Sequence, residues 1–134
     1  MRVLGLMSGT SMDGLDCGLF EISLTSDYQL NWNCIDFKTF SYSAEIRESI
    51  SNALAGDEGV VRAADRILGQ EFAGISKEFI NGRKIDLIAS HGQTISHDDG
   101  VSTRQIGNPQ YLQKIFQVPL VFNFRQADID AGGN

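Results

Sequence analysis

Cysteine, proline and histidine number only two each in 134 residues, so the chain has neither the thiols for a disulfide framework nor the histidines for a clustered metal site. Positive charge is scarce as well. Lys plus Arg total 11 against 17 Asp plus Glu, a net charge of −6, and the basic residues are scattered, which argues against a nucleic-acid partner. No apolar run approaches the length of a membrane span, so no membrane association is expected. The opening Met1-Arg-Val-Leu-Gly-Leu-Met7 is too short for the core of a signal peptide and leads straight into a glycine loop without a cleavage site. Cys17 and Cys34 lie in strand-like runs and read as free, buried thiols. These absences leave a reduced, cytoplasmic protein of one domain's length, whose 42% hydrophobic content can build a core without staples.

Glycine is plentiful, at 14 residues, and its most informative use is Gly5-Leu-Met-Ser-Gly-Thr-Ser-Met-Asp-Gly14. Glycines let main-chain N–H groups approach an anion closely, and Thr10 and Ser11 add hydroxyl donors. The run is not a Walker loop, because Leu15-Asp16 stands where Lys and Ser/Thr would follow Gly14. It is not a dinucleotide turn either, since its glycines are too widely spaced and a strand follows rather than a helix. A bare turn would need fewer special residues, so the spacing predicts a phosphate-binding hairpin with Gly9, Thr10, Ser11, Met12, Asp13, Gly14, Leu15 and Asp16 at the nucleotide. Asp13 and Asp16 flank Gly14. Each is either a water-mediated Mg2+ contact or an anchor for the loop.

Apolar spacing predicts strands at Val3 to Met7, Leu15 to Leu24 and about Leu30 to Phe40, joined by short turns into an antiparallel meander. In the third, apolar residues fall on both faces, which requires two-sided burial or a bulge. Helices are expected from an N-cap at Ser43 to Gly56 and from about Val60 to Asn81-Gly82. A strand at Ile85 to Ser90, a helix capped by Asn108 with Pro109 first, and a strand at Pro119 to Phe124 complete the order. The predicted fold is α/β, a mixed five-stranded sheet with a three-strand meander followed by alternating helices and parallel strands. The polar, glycine-rich tail from Asp128 to Asn134 carries no predicted element.

Four ordered segments carry a family resemblance: Gly5 to Asp16, Ser90-His-Gly-Gln-Thr94, Gln105-Ile-Gly-Asn108, and Phe122-Asn-Phe-Arg-Gln-Ala-Asp-Ile-Asp-Ala-Gly-Gly133. Together they resemble the anhydro-N-acetylmuramic acid kinases, of the sugar kinase, heat-shock protein and actin superfamily. The resemblance implies an actin-like ATPase, ribonuclease H-like lobe, with residues 1–134 as the N-terminal lobe of a two-lobe enzyme and a second lobe outside this chain. It implies ATP and Mg2+ as cofactors, and hydrolytic opening of the anhydro-sugar with phosphorylation to N-acetylmuramic acid 6-phosphate in peptidoglycan recycling. A homodimer is left open.

No catalytic base is expected within these residues, because the family's water-activating carboxylate belongs to an Asp-Thr-Gly segment that this sequence does not contain. Met7 also stands where many superfamily relatives carry an aspartate near the metal. His91, Gln93, Arg125 and Asp128 form the expected substrate side. His91, behind a predicted strand end, either contacts sugar or ties down a loop. Arg125 either clamps the lactyl carboxylate with a bidentate fork or pairs internally with Asp128 or Asp130. The competing readings are another sugar or acetate kinase of the superfamily and a non-catalytic ligand-binding module.

Overall fold

A computed structural model describes all residues from Met1 to Asn134. Strands β1 (Arg2–Ser8), β2 (Gly14–Leu24) and β3 (Leu30–Ser41) form the expected antiparallel meander. Helices α1 (Ala44–Leu54) and α2 (Glu58–Ile80) follow, then β4 (Leu87–Asp98), β5 (Ser102–Ile106), α3 (Gln110–Phe116), β6 (Leu120–Phe122) and α4 (Phe124–Asp130). The fold is α/β with a mixed sheet, in the order β3-β2-β1-β4-β5, with β6 also paired to β4. β1 runs parallel to β4, and β4 parallel to β6. The sheet has six strands rather than five, because β4 continues past Ser90 and turns back through Gly100 into β5.

Local chemistry starts and stops the helices, at Ser43 and Asn81 where the sequence suggests and at Asp57, so that α2 begins at Glu58, two residues before its expected start. The Ser43 side chain accepts the N–H of Ile46, and Asp57 does the same for Val60, each satisfying a donor that the first helical turn leaves unpaired. Asn81 ends α2 in the left-handed region with φ 48°, where its N–H reaches the Lys77 carbonyl. Asn108 Oδ1 accepts the N–H of Gln110, although α3 itself begins only after Pro109. Helix α4 takes in the first three residues of the tail, Asp128 to Asp130, and is docked by the Gln126 side chain, which accepts the Thr103 N–H of β5 and donates to Asp130.

The core lies between the helices and one face of the sheet. Leu4, Leu6, Leu15, Cys17, Leu19 and Ile88 point from the strands into Ile50, Leu68, Phe72 and Phe79 of α1 and α2. On the opposite face α4 packs near β4, while Met7 and Phe37 remain exposed. The third strand carries the anticipated bulge at Ile35: Leu19 pairs with Asp36 and Phe20 with Cys34. Its sides are nevertheless exposed, Trp32 at 66%. Apolar alternation marks a strand there, but no second layer of this chain covers it.

The two cysteines separate. Cys17 is buried in the core, and Cys34 is exposed, which corrects the expectation of two buried thiols. Burial, followed by the nearby Asp16 charge, pushes the Cys17 thiol from its ordinary 9.0 up to about 12. Maleimide treatment near neutral pH is therefore expected to label Cys34 alone in the folded protein and both thiols in denaturant, read by mass. The sign of the pH effect follows. A raised thiol pKa keeps the proton on the folded chain, so this contribution to stability is intact below 9 and declines as pH climbs from 9 toward 12.

Candidate functional site

The first part of the site is the β1–β2 hairpin, at the carboxyl end of a parallel-paired strand, where open α/β sheets bind ligands. The Met12 N–H closes a turn on the Gly9 carbonyl at 3.1 Å, with Met12 in the left-handed region at φ 57°. Ser11 Oγ donates to Asp13 Oδ1 at 2.7 Å, and the Asp13 carbonyl accepts the Tyr42 N–H at 2.8 Å. The N–H groups of Thr10 and Ser11 bond no main-chain acceptor, and the Thr10 hydroxyl has no protein partner. Free donors around a glycine turn are the equipment of an anion site.

Not every hairpin residue faces outward. Leu15 is in the core at 0% exposure, and Met12 packs against the same cluster, so neither side chain is available to a ligand. Asp13 is exposed at the tip. Asp16 is partly covered, with Oδ1 accepting from Thr39 Oγ1 at 2.5 Å, which makes it a tie between β2 and β3. No group of three or more metal-ligating side chains is present. The donor set at the tip suits Mg2+, which keeps several waters and is held by one or two carboxylates plus phosphate oxygens; Asp13 would be the carboxylate.

The hairpin is fixed from below by a buried relay. Tyr42 OH lies 2.7 Å from Ser8 Oγ, and Ser8 Oγ donates to Gln93 Oε1 at 2.6 Å, with Ser8 and Gln93 at 2% and 1% exposure. Burial raises the Tyr42 hydroxyl well above its ordinary range against the opposing effect of the Ser8 contact, so the phenol stays protonated and donates into the relay. Gln93 Nε2 bonds the Thr94 carbonyl at 3.2 Å. Its side chain is thus committed inside the fold, tying β4 to the root of the hairpin.

The second part arises where β4 changes neighbours. Along one edge it pairs with β6 through Ile88 to Ser90, then with β5 from Gln93 onward. Between the two partners the strand bulges at His91-Gly92, and Gly92 takes φ 77°. A crevice of about 260 Å³ opens there, lined among others by Ser90, His91, Gln105, Asp65 of α2 and Asn123 before α4. His91 therefore lies within β4 rather than after its end. The short run Ile85 to Ser90 concealed this because β5, the partner that extends the strand, contributes only Ile106 to the core.

The crevice presents acceptors. His91 Nδ1 sits 2.9 Å from the Gly92 carbonyl and so carries the hydrogen, which leaves Nε2 as a lone-pair acceptor in the neutral ring. Asp65 Oδ1 accepts the Gly107 N–H at 2.8 Å, and its other oxygen has no partner in the protein. The His91 ring also contacts Phe124, with centroids 5.6 Å apart, which brings α4 to the same place. Arg125 and Asp128 follow on α4, both exposed; Arg125 forms no ion pair with Asp128, Asp130 or any other residue. Sequence reasoning missed Asp65 and Asn123, which sit in α2 and a turn with nothing in their spacing to mark them.

A family model described as anhydro-N-acetylmuramic acid kinase matches residues 1–134. Among curated relatives, the anhydro-N-acetylmuramic acid kinase of Picosynechococcus sp. is 37% identical over 142 residues, covering 99% of this chain and 37% of the relative. The protein of that name from Streptomyces avermitilis is 37% identical over 145 residues, again 99% of this chain and 37% of the relative. That of Bacillus cereus is 36% identical over 147 residues, with the same coverage. The chain spans about 37% of the length of the curated relatives it matches.

Proposed function

The chain belongs to the anhydro-N-acetylmuramic acid kinase family, and from that premise we propose that it forms the N-terminal, phosphate- and sugar-positioning lobe of an ATP-dependent kinase acting on 1,6-anhydro-N-acetylmuramic acid in the cytoplasm. The observation that carries this reading is the adjacency of two unlike sites. A donor-rich hairpin fits phosphate, an acceptor-rich crevice fits the hydroxyl and N–H groups of a sugar, and the Ser8–Gln93 hydrogen bond links them. No helix is long and apolar enough to cross a membrane, in keeping with small soluble substrates.

The chemistry is the one the family resemblance implies. Water adds to the anomeric carbon, the bond from that carbon to the 6-oxygen breaks, and the freed 6-oxygen takes the γ-phosphoryl group with departure of ADP. The hairpin's N–H groups and Thr10 hold the phosphates in line, an electrostatic and positional contribution. His91 Nε2 accepts a sugar hydroxyl, and Arg125, free of internal partners, forks onto the lactyl carboxylate. Asp128, one turn after Arg125 on α4, is the second polar group this helix offers the sugar. Gln93 acts through Ser8, holding the hairpin at a fixed distance from the sugar. The carboxylate that takes the water's proton is supplied by the remainder of the polypeptide.

The test is ADP release by the full-length protein with the anhydro-sugar, where turnover is expected and its absence would overturn the reading. The 134-residue chain alone is expected to show background only. Thr10→Ala should weaken ATP binding by about tenfold. Asp13→Ala should weaken it with Mg2+ present and strengthen it in EDTA, because a bare carboxylate repels the triphosphate. The same loss in both conditions would identify Asp13 as a loop anchor instead.

A further inference from the structure

Gly107-Asn108-Pro109 carries the chain from β5 into α3 without regular structure, and Gly107 and Pro109 stand in one wall of the crevice beside Gln105 and Ile106. Such a segment has no ladder to satisfy its main chain. Pro109 has no N–H, so two donors need acceptors, and both end on Asp65 of α2. The Asp65 carboxylate accepts the Gly107 N–H at 2.8 Å through Oδ1, and the Asp65 carbonyl accepts the Asn108 N–H at 3.0 Å. The rest of α2 is shaped to let the connection lie close. A methyl on Gly69, one turn after Asp65, would meet the Asn108 carbonyl oxygen at 2.5 Å and its nitrogen at 2.8 Å. Gly107, with φ 120°, rests on the Phe72 ring one turn further along. Aspartate is a poor residue for a helix interior, and this one forms no ion pair. The single hydrogen bond its carboxylate makes is to the wall of the crevice.

Resting on the sugar-kinase reading above, we propose that Asp65 is a positioning residue for the sugar, acting through Gly107 and Asn108: it holds the β5–α3 connection down on α2 and so fixes the distance between that wall and the His91 side of the crevice. The His91 side is held by other means, the ring by the Gly92 carbonyl and the strand by the bond from Ser8 to Gln93. The Gly107 side has fewer holds. β5 pairs with β4 only as far as Ile106, and the next buried side chain is Leu112 of α3, so the residues between depend on their seat on α2. A carboxylate bonded to a main-chain N–H is charge-assisted and sets a short, fixed distance. Misplacing a substrate by about 1 Å costs up to about a hundredfold in rate, which makes a wall held by one carboxylate a lever on turnover.

The test uses the full-length protein with ATP and the anhydro-sugar. Asp65→Ala is expected to lower kcat/KM for the sugar about tenfold with the KM for ATP unchanged, because the phosphate hairpin is held through Ser8 and Tyr42 and not through α2. Asp65→Asn keeps an oxygen that accepts the Gly107 N–H and is expected to restore kcat/KM to within about twofold of the unmodified protein. Gly69→Ala lifts the same connection from a residue outside the crevice, and the same split between sugar and ATP is expected. Unaltered kinetic constants in Asp65→Ala and Gly69→Ala, with only the thermal midpoint lowered, would overturn the proposal and leave Asp65 a tie that serves stability alone. Asp65→Asn as impaired as Asp65→Ala would overturn it in favour of direct contact between the carboxylate and the sugar. Both results leave the kinase reading standing, whereas absence of turnover in the unmodified protein would overturn that reading and this role with it.

Discussion

Gly92→Ala is expected to destabilise the fold by about 3 kcal/mol and to abolish sugar turnover. Two costs coincide at this residue. Its φ of 77° lies in the left-handed region, where a Cβ is strained whatever the surroundings. The added methyl would also come within 2.9 Å of the Ile106 carbonyl oxygen and 3.0 Å of Gln105 Cβ, and the first of these is backbone that cannot rotate away. Relief requires β5 to move off β4, which shifts Gln105 and Gly107 together and changes the width of the crevice. Gly82→Ala is the control, since Gly82 has φ 80° with nothing within 4 Å of the new methyl. Urea denaturation of both variants separates strain from contact. Equal losses at the two positions would show that the close packing at Gly92 carries no energy.

The same bulge marks the limit of what could be read in advance. The meander, both long helices, the Ser43 cap and the stop at Asn81 were legible, because periodic apolar residues such as Leu68, Phe72 and Phe79 and side chains such as Ser43 announce themselves locally, whereas the Asp57 cap of α2 was not read. β5 was not. In Ser102-Thr-Arg-Gln-Ile106 one residue enters the core, Arg104 leaves to pair with Glu58, and the strand exists because β4 is there to pair with it. α4 was likewise hidden, since its sequence anchors it through Gln126 to Thr103 and through the single buried Ile129. The hairpin could be located from glycine spacing, but the commitment of Gln93 to Ser8 depends on register between strands, across a separation of 85 residues. The crevice depends on a change of strand partner, and local spacing contains no trace of that.

Gly14→Ala tests the other half of the site, with an expected loss of about 1–3 kcal/mol in stability and a fall of about a hundredfold in ATP affinity of the full-length protein. Gly14 opens β2 opposite Ser41, and a methyl there would meet the Phe40 carbonyl oxygen at 2.6 Å and its carbon at 3.2 Å. Both are backbone, so β2 must part from β3 at its first pair. The displacement falls beside the Asp13 carbonyl, which Tyr42 holds through its N–H, while the Tyr42 hydroxyl holds Ser8 on the opposite leg. One methyl therefore loosens both legs of the hairpin. Tyr42→Phe separates the contributions, because it keeps the β2–β3 contact and removes only the hydroxyl. If the legs are held jointly, Tyr42→Phe lowers ATP affinity by about tenfold and the Gly14→Ala variant gains little further loss from it. Full additivity of the two changes would mean that the relay through Ser8 does not position the phosphate turn, and that the hairpin keeps its shape by its own Gly9 to Met12 closure.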